Sequence, residues 1–384
     1  MREVVIVEAV RTPIGRRNGK LKDIHPVVLG SLVLKEVVSR AGIKPEQVDD
    51  VVFGCVGQAG EQSLNIARNA WLTAGFPFTT PATTVDRQCG SSQQAIHFAA
   101  NLIAASICDI TIAGGVESMS RVPMGSNAVS PGTPFPPELM ELYDLVPQGI
   151  SAELMARKYG VSRQAMDEFS VESHRRAHEA TEKGHFKSQI MQVDISNGQV
   201  EVFGRDEGIR ANASYEATSA LQPAFNPEHS ITAGNSSQIS DGAAAVMLMS
   251  LDKARELRIK PRARIRSQAV VGTDPVLMLE GPIPGTAAVL QRAGLDLDSI
   301  DLFEVNEAFA SVVLAWQKET GADLKKTNVN GGAIAMGHPL GASGAILMTR
   351  LLHELERRDG RYGLETMCCG GGLGTATIID RVVE

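Results

Sequence analysis

The sequence predicts an α/β fold of two duplicated βαβ-rich halves, the first interrupted by an inserted loop domain. Three observations predict it: segments near the start that recur in order near the end, a proline-dense middle that breaks the recurrence, and a glycine-rich globular composition. Arg40-Ala41-Gly42-Ile43, then Val48-Asp49 and a β-branched run into Phe53-Gly54, match Arg292-Ala293-Gly294-Leu295, then Ile300-Asp301 and Phe303-Glu304-Val305, at the same spacing. Each reads as a helix ending at glycine, a short acidic connection and a buried strand. Gln94-Ala95-Ile96 stands 250 residues before Gly344-Ala345-Ile346, each inside a small-residue helix pattern. Ile110-Thr111-Ile112, running to Gly114-Gly115, corresponds to Met367-Cys368-Cys369 before three glycines. Three matches in one order point to duplication.

In chain order, Glu3-Val4-Val5-Ile6-Val7 opens as a strand, with no signal-peptide features ahead of it. Between Met119 and Ile150 lie Pro123, Pro131, Pro134, Pro136, Pro137 and Pro147, too many for regular structure. A charged amphipathic helix follows from an N-cap at Ser162 to Lys183 before Gly184, then strand-like pieces at Gln189–Ile195 and Gln199–Phe203. The strand Ala243–Met249 returns the chain to the first half's sheet. The expected division is 1–118 plus 240–262 for the first half, 119–239 for the insertion and 263–384 for the second half.

Lys and Arg number 37 against 44 Asp and Glu, a net charge of −7, which argues against a nucleic-acid or anionic-membrane surface. No run approaches the roughly 18 apolar residues of a membrane helix. The end Arg381-Val382-Val383-Glu384 is no peroxisomal address, so the cytoplasm is the expected location. Five cysteines, Cys55, Cys89, Cys108, Cys368 and Cys369, form neither a disulfide framework nor a CxxC zinc pair. Reduced thiols are expected, and no metal.

Strand-like Thr83-Thr84-Val85 leads through Asp86-Arg87-Gln88-Cys89-Gly90-Ser91-Ser92 into a helix. At a helix start, free N–H groups and the dipole favour a thiolate nucleophile and supply oxyanion donors. On its own, Cys89 reads first as a small apolar core residue. His338 shifts that reading, because it lies in the glycine-rich loop Asn330–Gly341 before a helix, at almost the place Cys89 holds in the first half. Cys368-Cys369-Gly370-Gly371-Gly372-Leu373-Gly374 ends a strand, where glycines let backbone approach a ligand. It makes a poor dinucleotide fingerprint, since no βαβ unit follows. Asn306-Glu307-Ala308-Phe309 follows Leu302–Val305 at the carboxyl end of a strand, where α/β sites lie, although it also fits a helix cap. No Walker sequence or HExxH exists, and His174 and His178 read as part of a solvated helix face.

With these four elements in this order, the chain resembles the thiolase family over essentially its whole length. Cys89-Gly90-Ser91, Asn306-Glu307-Ala308-Phe309, Gly337-His338-Pro339 and Cys368-Cys369-Gly370-Gly371-Gly372 match its active-site motifs. Ala113–Ser120 and Thr232–Ser237 match further segments. The resemblance implies a layered αβαβα arrangement and acyl transfer through an acyl-cysteine, with coenzyme A as co-substrate and no permanently bound cofactor. Cys89, activated by His338, would attack the keto carbon of a 3-ketoacyl-CoA. Cys368 would protonate the departing acetyl-CoA enolate and then deprotonate incoming CoA. His338 with a water on Asn306 would form one oxyanion site, and the N–H groups of Cys89 and Gly370 the other. For CoA, the family pattern maps Ser237 to the pantetheine arm, Arg210 to the adenine end, and Phe225 and Phe309 to the tunnel wall. A homodimer or homotetramer is implied.

Alternatives are an acetyltransferase specific for acetoacetyl-CoA, a ketoacyl-synthase-type condensing enzyme, which usually has two histidines or a histidine and asparagine beside its cysteine, and a non-catalytic lipid carrier. Short-chain thiolases commonly carry His-Met-Gly where this chain has Pro147-Gln148-Gly149, a departure that looks like the degradative 3-ketoacyl-CoA enzymes. Gly15–Lys20, Gly60–Ser63 and Ser236–Asp241 are similar to actinobacterial thiolases acting on bulky, even steroid-derived, acyl chains.

Overall fold

The computed structural model describes residues 2–129, 132–196 and 200–382. Pro131, Gln199 and Val383-Glu384 lie outside the described residues. The strands are β1 (Val4–Arg11), β2 (Gly15–Arg16), β3 (Asp50–Gly54), β4 (Ala82–Val85), β5 (Ile110–Ser118), β6 (Val193–Asp194), β7 (Val202–Phe203), β8 (Ser240–Ser250), β9 (Ala263–Gly272), β10 (Leu302–Val305), β11 (Tyr362–Cys369) and β12 (Leu373–Arg381). One sheet runs in the order β10-β11-β12-β9-β1-β8-β5-β3-β4, with β2 attached to β8. The order is palindromic about the β9–β1 contact, which joins the two halves over only two residue pairs, Val5 with Arg264 and Ile6 with Ala263. In each half the strand after the glycine-capped helix pairs parallel with its neighbour, β3 with β5 and β10 with β11.

The repeat is visible in local geometry. Helices Pro26–Ala41 and Pro282–Ala293 end at Gly42 (φ 67°) and Gly294 (φ 66°), each followed by a short 3-10 turn and then β3 or β10. The left-handed cap is cheap only without a Cβ, so glycine stops both helices at equivalent places. Helices Ser91–Ala104 and Ser343–Arg358 pack together in the centre, buried on nearly all sides. Small residues allow it: a Cβ on Gly344 would lie 2.4 Å from Gln93 N. Outside, Pro26–Ala41 and Ile66–Thr73 cover the first half-sheet, and Pro282–Ala293 and Ala310–Thr320 cover the second. Five layers, αβαβα, result.

In the insertion, helix Arg163–Glu182 starts at the expected cap, with Ser162 accepting from Ala165 N–H. The strand-like pieces shrink to the two-residue pair β6/β7, and among its described residues the proline-dense stretch holds a 3-10 turn, the short helix Pro137–Leu142 and the start of the helix Gln148–Lys158. The insertion is bolted to β1 by a bidentate, fully buried pair, Arg11 Nη1 and Nη2 to Asp206 at 2.7 and 2.9 Å. Among the described residues no helix is long and apolar enough to cross a membrane.

Glu304 of β10 and Glu365 of β11 stand opposite each other in register and are buried. Glu304 reaches Arg350 of the central helix at 3.2 Å, whereas neither Glu365 oxygen has a hydrogen-bond partner. Burial pushes Glu304 up to about 7, and burial with the neighbouring Glu304 pushes Glu365 well above the carboxylate range. Both folded-state values are raised, so above pH 4.5 the unfolded chain binds fewer protons and stability falls as pH rises. For Glu304 the fall spans pH 4.5 to about 7 and is on the order of 3 kcal/mol. Glu365→Gln keeps a neutral, hydrogen-bonding side chain and removes that ionisation from the unfolded state. Its melting temperature is expected to exceed the parent's at pH 8 and to converge with it at pH 4.5; equal or lower values at pH 8 would contradict a protonated Glu365.

Candidate active site

Cys89 sits between β4 and the helix Ser91–Ala104, on a turn in which Gln88 takes a positive φ of 50°. The turn is locked by Ser91 Oγ, which donates to Gln88 O at 2.6 Å and accepts from Arg87 N–H at 2.9 Å. His338 occupies the corresponding approach in the second half, with a 3-10 turn, Leu340–Ala342, before the helix Ser343–Arg358. The two approaches meet. Ala345 N–H donates to Ser92 Oγ at 2.9 Å, and a Cβ on Gly54 would lie 2.4 Å from Ser92 N and 2.6 Å from Gly341 O.

The imidazole's tautomer follows from its partners. Ser343 Oγ donates to Pro339 O at 2.8 Å, so at 2.6 Å it accepts from His338 Nδ1–H. Nε2 therefore carries the lone pair and accepts from Asn306 Nδ2 at 3.3 Å. Burial lowers the imidazole to about 4, leaving it neutral at physiological pH.

The thiol departs from the sequence-based expectation of a thiolate enriched by the helix start. Burial pushes Cys89 up to about 11, against hydrogen bonds from the Gln148 side chain and the Gly370 and Cys89 backbones that pull it down. Desolvation outweighs the helix N-terminus here. Taking about 11 and about 4 together, moving the proton from thiol to imidazole would cost ~10 kcal/mol before the new charges attract. The resting pair is neutral.

Successive residues of β11 point to opposite faces. Cys368 packs with Ala308, Phe309 and Ile334, whereas Cys369 packs with Cys89, Leu347 and Met367. A Cβ on Gly90 would lie 2.6 Å from Cys369 Sγ, so that thiol fills space beneath the Cys89 turn. Burial, then the proximity of Cys89, raises both thiols. Phe225, half-exposed, stands edge-on to the buried Phe309 at 6.4 Å, and its ring covers Gly149, where a Cβ would meet it at 2.2 Å. Ser237 lies beside Phe309, its N–H donating to Ala308 O at 2.9 Å. Arg210 stands apart, exposed, lining a separate cavity of about 450 Å³ with His174, Ser214 and Leu221. His174 is buried, its Nδ1 accepting from Arg210 N–H at 3.1 Å, contrary to the solvated face read from the charged helix. Among the described residues no cluster of metal-ligating side chains occurs.

Four supporting residues carried no role in the sequence reading. Glu117 accepts from Val56 and Gly57 N–H, Gln62 Nε2 and, from the other half, Gly341 N–H at 2.8 Å. Glu307 is held by Ser173 Oγ, Asn328 Nδ2 and Ile334 N–H, so it braces the loop before His338. Gln238 donates to Gly208 O, Ile334 O and Ala335 O, and its own carbonyl accepts from His338 N–H. Ser343 fixes the tautomer. Ser343 was discoverable as a polar residue one turn past His338; the others act across long separations. Within two of the segments similar to thiolases of bulky acyl chains, the side chains of Gln62 and Asp241 are buried and bonded to neighbouring backbone.

Fold and site together define the class: an internally duplicated α/β acyltransferase whose halves contribute a cysteine and a histidine from equivalent helix approaches. The chain belongs to the thiolase family, matching the profile of the thiolase N-terminal domain over residues 4–252 and of the C-terminal domain over 259–381. It is 47% identical to a steroid 3-ketoacyl-CoA thiolase of Mycobacterium tuberculosis, across 100% of this chain and 95% of that protein. It is 44% identical to a 3-ketoacyl-CoA thiolase of Bacillus subtilis, across 99% and 100%. The solved acetyl-CoA acetyltransferase of Bacillus anthracis superposes with a TM-score of 0.92 at 39% identity, covering 100% of this chain and 99% of that one.

Proposed function

We propose that this chain cleaves 3-ketoacyl-CoAs with CoA, yielding acetyl-CoA and a shortened acyl-CoA, and that it prefers acyl groups beyond four carbons, bulky ones included. The observation that carries the preference is Gln148, a half-buried polar side chain reaching the Cys89 sulfur. The sulfur can satisfy only part of an amide, whose remaining polar atoms call for water or a polar substrate group, so the space beside the nucleophile is wetter than an apolar residue would make it. The names of the relatives support the same substrate class.

In the first transfer Cys89 gives its proton to His338 Nε2, and its sulfur attacks the keto carbon. The bond from that carbon to the CoA-bearing α-carbon breaks, and the electron pair becomes an enolate that takes the Cys368 proton. In the second, Cys368 removes the proton of incoming CoA, whose sulfur attacks the acyl-enzyme. Cys89 then departs and recovers its proton from His338. Splitting one hard cleavage into two acyl transfers is what a thiol nucleophile permits. One oxyanion is met by His338 and a water on Asn306, the other by the N–H groups of Cys89 and Gly370, each donor being worth about 2.7–4 kcal/mol. The neutral resting pair keeps the proton transfer coupled to substrate arrival.

The halves are taken as 1–118 plus 240–262 and 263–384. The lobe 119–239 holds CoA, with Phe225, Phe309 and Ser237 along the pantetheine arm and Arg210 in its separate cavity at the adenine end. A cytoplasmic homo-oligomer is the proposed form; β4, with a free sheet edge, supports assembly.

The experiment compares kcat/KM on acetoacetyl-CoA with longer or branched 3-ketoacyl-CoAs. Longer substrates are expected to lead by about 10-fold, ~1.4 kcal/mol, and Gln148→Met to narrow the gap. An enzyme that cleaves acetoacetyl-CoA best and longer chains not at all would refute the preference.

A further inference from the structure

We infer that the buried carboxylate of Asp167 is a positioning residue for CoA: one oxygen holds Asn235 and the loop carrying Ser237, and the other holds Arg163, whose fork fixes a wall of the cavity containing Arg210. The inference rests on the CoA reading of the lobe above and adds to it the group that sets its two ends relative to each other.

Arg163 and Asp167 stand four residues apart on the helix Arg163–Glu182, a spacing that on a charged helix ordinarily marks a surface ion pair of little worth. Here Asp167 is fully buried. Its Oδ2 accepts from Arg163 Nε at 2.6 Å, and its Oδ1 accepts from Asn235 Nδ2 at 3.0 Å. Asn235 is fully buried too, and each polar atom of its side chain is used. Nδ2 donates a second time, to Ser230 O at 3.1 Å, and Oδ1 accepts from Thr232 N–H at 2.8 Å. A carboxylate only accepts, so Asp167 fixes which way the Asn235 amide faces; the reverse orientation would set oxygen against oxygen. That amide closes the turn 230–235 on itself, and the Asn235 carbonyl accepts from Ala310 N–H at 2.9 Å. Next along the chain, Ser236 pairs with Phe309, and Ser237 N–H donates to Ala308 O. The proposed pantetheine wall thus hangs on one amide, and the amide on Asp167.

The second arm leads the other way. Arg163 Nη2 donates to the carbonyls of Thr218, Ser219 and Leu221 at 3.2, 3.3 and 3.0 Å. Thr218 and Leu221 line the Arg210 cavity. Both also press on Gly234, where a Cβ would lie 2.6 Å from Leu221 Cδ1 and 3.0 Å from Thr218 Cγ2. The two arms therefore meet, since Gly234 directly precedes Asn235. A ligand that spans both walls binds at least cost when their separation is preset, and one carboxylate presets it.

The test is steady-state thiolysis by the full-length enzyme with either CoA or pantetheine, which lacks the adenine nucleotide, as acyl acceptor. Asp167→Asn keeps the shape but offers an oxygen to only one of the two donors and sets an NH₂ against the other. It is expected to raise KM about tenfold for both acceptors, with kcat within about twofold of the parent's. Arg163→Lys keeps a charge beside Asp167 but lacks the fork that reaches the three carbonyls. It is expected to raise KM about fivefold for CoA and not for pantetheine, and it serves if Asp167→Asn does not fold. Cys89 alkylation by iodoacetamide should match the parent's in both variants, which a general loosening of the fold would not allow. Arg210→Ala is measured beside them. Parent-like KM values in Asp167→Asn and Arg163→Lys, with CoA weakened in Arg210→Ala, would overturn this inference and leave the CoA site standing. Parent-like values in all three would remove the site as well.

Discussion

Cys89→Ser is expected to lower thiolysis by about 10⁴-fold or more, with the fold intact, because removing the proposed covalent nucleophile removes the route itself. His338, tethered to Asn306 through Nε2, is the proposed acceptor of the sulfur's proton. A serine hydroxyl in the same place is far harder to ionise. In the parent, iodoacetamide is expected to inactivate by modifying Cys89, and acetyl-CoA or a 3-ketoacyl-CoA to protect it. With the thiol raised to about 11, labelling should be slow at pH 7 and accelerate through pH 9. Modification of Cys55 or Cys108 with full activity retained would remove Cys89 from the mechanism.

Cys368→Ser is expected to separate the two transfers. Overall thiolysis should fall by about 10²-fold or more, since the proposed acid and base of the carbon–carbon cleavage is gone. Acyl-enzyme formation from a labelled acyl-CoA should persist, because Cys89, Gly370 and His338 remain. The facing of β11 sharpens the expectation for its neighbour. Cys369 is wedged beneath Gly90 and away from Ala308, Phe309 and Ile334, so Cys369→Ser should disturb packing and stability more than the ratio of the two transfers. A loss of turnover in Cys369→Ser with none in Cys368→Ser would mean that the acid–base thiol is the second of the pair.

The glycine-capped helices at Gly42 and Gly294, the Ser162 cap and the strands flanking the motifs were legible because each depends on residues a few positions apart. The backbone of a helix end is decided by its own cap, and alternation along a strand by its own side chains. Joining the two half-sheets through β1 and β9 was not, because that contact involves two residue pairs far apart in sequence.

By itself, then, the sequence determined the duplication, the insertion, the order of the four motifs and hence the family. These are matters of local pattern and spacing. Only the tertiary structure decided the charge state of the site and its supports. Cys89 at about 11 and His338 at about 4 reflect desolvation by residues from both halves, which overrides a helix start that alone would favour a thiolate. His174 left the solvated face for the same kind of reason, since the segment carrying Arg210 folds over it. The reach of Gln148 to the sulfur and the clamp of Glu117 on Gly341 join residues 59 and 224 positions apart. Solvation and long-range hydrogen bonding depend on what surrounds a group in space, and a chain read in order carries no distance between its distant parts.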